Sequence, residues 1–172
     1  MAEALLGREL AAATDVNVQS AGLVTEHQPA SAEAVAVMAE RGLDISGHRS
    51  RLLTPDMIGR SDLILGMTRQ HLREVTVLDP GAWPRTFTLK ELVRRAGFVG
   101  PRPVGEELAD WLLLVGDGRV MTELLGEDPC DDVEDPIGRR MAFYRHTADE
   151  LTALARALAA AGWPGAASEG AA

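Results

Sequence analysis

Ala2, Leu6, Leu10 and Ala13 share one face at helical spacing, which predicts an amphipathic helix ending near Thr14. No Ser, Thr, Asp or Asn precedes it to accept its leading N–H groups, so it starts uncapped. Val16 and Val18 then alternate with polar residues and run into Ser20 and Gly22, a short strand entering a turn. A second helix follows, capped by Ser31, with Val35, Met38 and Ala39 on one face and Gly42 as its stop. Thr54 and Pro55 open a short third helix. Leu63, Ile64, Leu65 and Met67 form an apolar run without alternation, the pattern of a strand buried on both faces.

Beyond that run, Thr68 caps a short helix through Leu72, VLDPGAWP reads as loop, and a brief strand at Phe87 leads into a helix stopped by Gly97. GFVGPRPVG reads as a surface loop, and the next helix is built around Leu108, Trp111, Leu112 and Val115. From about Arg139 the last helix sets Tyr144, Ala148, Leu151, Ala155 and Leu158 in a stripe of period near 3.6. Strands alternating with helices predict a βαβ arrangement and a mostly parallel sheet. The expected organisation is one domain over 1–162 and a disordered tail over 163–172.

Composition narrows the function classes. The chain has 172 residues, 46% of them hydrophobic and 25% charged, the balance of an ordinary soluble globule. No apolar run approaches the roughly 18 residues that span a bilayer, and Glu3 with no preceding basic segment is unlike a signal peptide. A cytoplasmic protein without membrane contact is therefore expected. A net charge of −9 argues against nucleic acid as a partner, because phosphates are repelled by the summed field. The single cysteine, Cys130, excludes an internal disulfide framework and a cysteine zinc cluster.

Few residues announce chemistry alone. Asp135 precedes Pro136 in a loop, which suits either a turn or a general acid on a rigid loop. His48 lies in a polar loop, GHRSR, and Ser20 at a strand end; each also suits a locally hydrogen-bonded loop residue. The histidines show no metal-like pairing and no Ser-His-Asp set is evident, so neither a cofactor nor a metal is expected. Acidic neighbours in GEDPCDD raise the pKa expected for Cys130 and make it a poor nucleophile.

Taken together, MAEALLGREL, SAG, RGLDISGHRSRLL, SDLILGM and EDPIGRRMAFYRHTADEL, in that order from Met1 to about Leu158, resemble the low-molecular-weight protein tyrosine phosphatase family. The resemblance implies an α/β, three-layer α/β/α fold of the phosphotyrosine phosphatase I type, a small mostly parallel sheet with helices on both faces. It implies that Asp135 is the general acid for the leaving oxygen, and that Ser20 and His48 hydrogen-bond the phosphate loop and hold its shape. The family's phosphate loop, a Cys-x5-Arg pattern, follows its first strand and leads through Ser-Pro into the helix that here begins at Met1. Backbone N–H groups there form an anion nest, the Arg clamps phosphate, and the Cys thiolate attacks phosphorus.

No such loop is present here, since Pro136 stands at the sixth place after Cys130. The chain is accordingly expected to lack the central first strand and the nucleophile loop, as an N-terminally incomplete phosphatase that is inactive as it stands. A non-catalytic pseudophosphatase that binds partners is the alternative; an arsenate reductase would need further cysteines. Ile137 and Gly138 stand where many members carry aromatic residues, and Thr68 where an Asp often follows the Met. Phosphotyrosine, phosphoarginine and small phosphomonoesters thus all remain as substrates, and the oligomeric state is open.

Overall fold

The computed structural model describes residues 1–13, 16–125 and 129–165. Its elements are α1 (Ala2–Glu9), α2 (Ala32–Ala39), α3 (Pro55–Gly59), β1 (Ile64–Gly66), α4 (Arg69–Leu78), β2 (Thr86–Thr88), α5 (Leu89–Val99), α6 (Leu108–Val115) and α7 (Met141–Gly162). The chain divides into two compact units, one of residues 1–52 with the chain from Glu134 onward, the other Leu53–Val133.

The first unit is helical, with α1 and α2 both packed on α7. The α7 stripe of Tyr144, Ala148, Leu151, Ala155 and Leu158 is buried as its period requires, together with Leu5, Leu10, Val37 and Met38. Ser31 caps α2 by accepting the Ala34 N–H, and its hydroxyl donates to the Tyr144 hydroxyl at 3.2 Å. The Met1 side chain gives α1 no cap, as its sequence implies, and the helix ends at Glu9, short of the expected Thr14, which lies outside the described residues. Leu5, rather than Leu6, is the fully buried leucine of α1, because the face that meets α7 decides which position turns inward.

The second unit carries the sheet. β1 and β2 pair in parallel, Ile64 with Thr86, Leu65 with Phe87 and Gly66 with Thr88. β2 is buried throughout, whereas Ile64 and Leu65 of β1 are only half-buried. The expectation of a strand covered on both faces therefore fails for β1, whose strand partner among the described residues is β2. The expected strand at Val16 and Val18 does not form either. An extended stretch becomes a strand by pairing, and these residues join no ladder among the described ones.

Helix ends depart from expectation where a better stop lies further on. α4 continues past Leu72 to Leu78, burying Val75 and Thr76, and is ended by Asp79 and Pro80. Asp79 then accepts the Gly81 N–H and opens a 3-10 turn over Pro80–Arg85, in the segment expected to be loop. Gly97 does not stop α5. Gly100 does, at φ 98°, a left-handed conformation that a side chain would strain. The expected tail, 163–172, falls mostly on residues outside those described.

Candidate functional site

Ser20, His48 and Asp135 all belong to the first unit. Ser20 and His48 are positioned by two loops that are laced together. Gly22 N–H donates to the Arg51 carbonyl at 2.8 Å, His27 N–H to the Ser50 carbonyl at 2.7 Å and Ser50 N–H to the Gln28 carbonyl at 2.9 Å. The Arg51 guanidinium adds a bond from Nε to the Ser20 carbonyl at 2.7 Å. His27 takes a positive φ of 59° to make this connection, a conformation uncommon outside glycine. Upstream of His48, the Asp44 carboxylate accepts the Ser46 N–H, and His48 N–H closes onto the Ile45 carbonyl. That backbone bond holds the Asp44 carboxyl below the usual range.

The two loops bring Ser20 and His48 to one carboxylate. Ser20 Oγ donates to Glu3 Oε2 at 2.6 Å, and His48 Nδ1 lies 3.6 Å from the same oxygen, an ion pair whenever the imidazole is protonated. Glu3 sits in the first turn of α1, where the helix dipole favours a negative charge. Burial lowers the pKa of the Met1 ammonium, and the Glu3 charge opposes that shift. Sequence reasoning missed Glu3 because an acid in a first helical turn has an ordinary explanation. The signal lay in the two partners, 17 and 45 positions away.

Asp135 is exposed, and no hydrogen bond joins it to Ser20, His48 or Glu3 among the described residues. Its Oδ1 accepts the Ile137 N–H at 3.0 Å, forming a local Asx turn. Pro136 is buried and anchors the turn, its carbonyl accepts the Arg139 N–H at 2.9 Å, and Gly138 at φ 73° completes the reversal into α7. No hydrogen bond reaches Oδ2 among the described residues.

The other acidic sites are structural in geometry. Asp131 is buried and receives Arg94 Nη2 at 2.7 Å and Nε at 3.2 Å, a hydrogen-bonded pair that raises the Arg94 pKa. Asp132 accepts the Arg69 N–H at 2.8 Å at the start of α4, and Val133 N–H donates to the Met67 carbonyl at 2.8 Å. A cavity beside Arg69, Trp83, Thr88, Glu91 and Asp131 measures ≈ 20 Å³, room for a water and no larger ligand. Cys130 is exposed in the short turn Pro129–Asp131. Among the described residues no helix is long and apolar enough to cross a membrane, and no group of three acidic, His or Cys side chains is arranged to hold a metal.

Residues 1–98 match the family model described as low molecular weight phosphotyrosine protein phosphatase. Over 93 residues the chain is 41% identical to a probable low molecular weight protein-tyrosine-phosphatase, EpsP, of Ralstonia solanacearum, a match that covers 54% of this chain and 62% of that protein. It is 31% identical over 147 residues to a protein-arginine-phosphatase of Bacillus subtilis, covering 84% of this chain and 75% of the relative. The chain thus spans less than two-thirds of EpsP. Among solved structures, the low molecular weight protein tyrosine phosphatase of T. tengcongensis superposes with a TM-score of 0.66 at 31% identity, over 91% of this chain and 86% of that one. The YwlE arginine phosphatase of Geobacillus stearothermophilus gives 0.65 at 30% identity, over 92% and 80%. The fold class is accordingly α/β, three-layer α/β/α with a small parallel sheet.

Proposed function

Because the chain belongs to the low molecular weight phosphotyrosine protein phosphatase family, we propose that it supplies the supporting and proton-donating parts of a phosphatase that works through a cysteinyl-phosphate intermediate. The convergence of Ser20 and His48 on Glu3, in the first turn of α1, carries this reading. In the family the phosphate loop enters directly ahead of this helix, so side chains gathered at that turn are placed to hold the loop in shape.

In the reaction, a thiolate of the phosphate loop attacks phosphorus while an Arg of the same loop takes the equatorial oxygens. Asp135 gives its proton to the leaving group in that step. It then draws a proton from the water that cleaves the cysteinyl phosphate. Its exposure and its rigid Asp-Pro turn support both roles. Cys130 lacks the Arg that the loop requires, since Pro136 occupies the sixth following position. Cys130 is therefore not assigned as the nucleophile, and we read these 172 residues by themselves as inactive.

The substrate is a phosphorylated protein side chain or a small phosphomonoester. Ile137 and Gly138 after the acid leave that edge without an aromatic wall, which weakens the case for phosphotyrosine alone. Similarity to both a probable tyrosine phosphatase and an arginine phosphatase makes phosphoarginine the second substrate to assay.

The test is turnover of p-nitrophenyl phosphate by the 172-residue chain and by the same chain preceded by the residues its gene encodes upstream. The expected result is no turnover in the first and Cys-dependent turnover in the second. Turnover by the first that disappears in Cys130→Ser overturns the nucleophile assignment. Upstream codons without a Cys-x5-Arg pattern overturn the catalytic reading in favour of a non-catalytic binding protein.

A further inference from the structure

The match to the family model ends at residue 98, and α6 lies beyond it. Its inner face is ordinary, with Trp111, Leu112 and Val115 buried. Its outer face is not. Asp110, Leu113 and Leu114 stand at the i, i+3, i+4 spacing of one face of α6, with Glu107 at its N-cap and Asp117 in the turn after its C-terminal end. Leu113 and Leu114 are 60% and 56% exposed, adjacent apolar groups where a solvated helix carries polar ones. Glu107, Asp110 and Asp117 are exposed as well, and no ion pair reaches them among the described residues. Nearby cations are already engaged, Arg94 with Asp131 and Arg95 with Glu91.

We propose that this stripe docks an amphipathic basic helix of a partner protein, its apolar ridge on Leu113 and Leu114 and its Lys or Arg residues on Glu107, Asp110 and Asp117. The charges select among occupants. A second copy meeting α6 about a two-fold axis brings Asp110 toward Asp117 and leaves like charges facing. An anionic lipid surface or a nucleic acid is repelled by the same three carboxylates. A helix with apolar residues three and four apart, flanked by cations, satisfies both parts of the stripe.

The test uses the full chain and two labelled helical peptides of identical Leu pattern, one with Lys and one with Glu at the remaining positions, in fluorescence anisotropy. The Leu/Lys peptide should bind and the Leu/Glu peptide should not. Leu113→Ser with Leu114→Ser should weaken the Leu/Lys complex by about tenfold or more, as loss of central apolar anchors does. Asp110→Lys with Asp117→Lys, both at exposed positions, should weaken that complex and admit the Leu/Glu peptide. Equal affinity of the parent chain and the Leu113→Ser, Leu114→Ser variant for the Leu/Lys peptide overturns the proposal, since binding then follows net charge alone. Sedimentation showing a dimer of the parent chain that Leu114→Ser abolishes overturns it too, by giving the face to a second copy.

Discussion

Glu3 and Glu91 each occupy the first turn of a helix, α1 and α5, and share the favourable end of a helix dipole. Their surroundings differ. Glu91 is enclosed: Oε1 accepts from Arg95 Nε at 3.1 Å and from Arg119 Nε at 2.8 Å, and Oε2 from Arg119 Nη2 at 3.3 Å. Arg119 lies 3.9 Å from the ring centres of both Trp83 and Phe87 and also donates to the Thr86 carbonyl. Burial pushes the Arg119 guanidinium below its ordinary range, and the Glu91 charge opposes that. Glu3 is held by a serine hydroxyl and an imidazole and by no guanidinium among the described residues, with a third of its side chain exposed. A carboxylate closed in by two guanidinium groups holds β2, α5 and the chain after α6 together and has no capacity left. One held by a hydroxyl and a histidine keeps capacity for something more, which suits a group that steadies a loop.

The largest effect expected from this contrast is Glu91→Ala. It leaves Arg119 buried without its carboxylate partner, at a cost of about 3–5 kcal/mol in urea unfolding. A loss no greater than that of an exposed substitution would show that the enclosure contributes nothing. Next comes Asp135→Asn in a form that carries a phosphate loop. General acid catalysis is worth about 100-fold or more in turnover, and stability should not move, because the Ile137 N–H bond to a side-chain oxygen survives the change. An unchanged rate would remove Asp135 from the mechanism. Glu3→Ala should cost only about 1 kcal/mol, the order of one hydrogen bond whose donor can turn to water. Urea midpoints equal to those of Glu91→Ala would erase the distinction between the two carboxylates.

Local signals in the sequence were enough to place much of this. Ser31, Thr54 and Thr68 each accept an N–H three positions on, and the last helix buries the stripe its period marks. Ser20, His48 and Asp135 stood out as polar residues in turns. What stayed hidden depends on distant partners. The alternation at Val16 and Val18 is that of a strand, yet pairing decides whether a strand forms. The run at Leu63–Met67 has the composition of a doubly covered strand, yet Ile64 and Leu65 are only half-buried, because burial depends on what packs against each face and not on composition. Arg119 follows a Gly-Asp-Gly sequence, and nothing local reveals that Trp83, Phe87 and Glu91 enclose it.

The smallest effect separates burial from pair geometry. Arg145 on α7 grips Glu40 with Nη2 to Oε1 at 2.7 Å and Nε to Oε2 at 2.9 Å, a fork as good as that between Arg119 and Glu91, but with both side chains about half exposed. The Arg145 hydrogen bond holds the Glu40 carboxyl below its ordinary value, and Glu40 raises Arg145 in return. A carboxyl depressed on folding contributes stability above its unfolded pKa and loses that contribution as pH falls through the lower folded value. Arg145→Gln should therefore move the Glu40 titration upward by NMR, as should high salt, while the urea midpoint at neutral pH hardly changes. Arg119→Gln should lower that midpoint clearly. Equal midpoints in the two variants would mean that the two rings around Arg119 add nothing beyond the pairing itself.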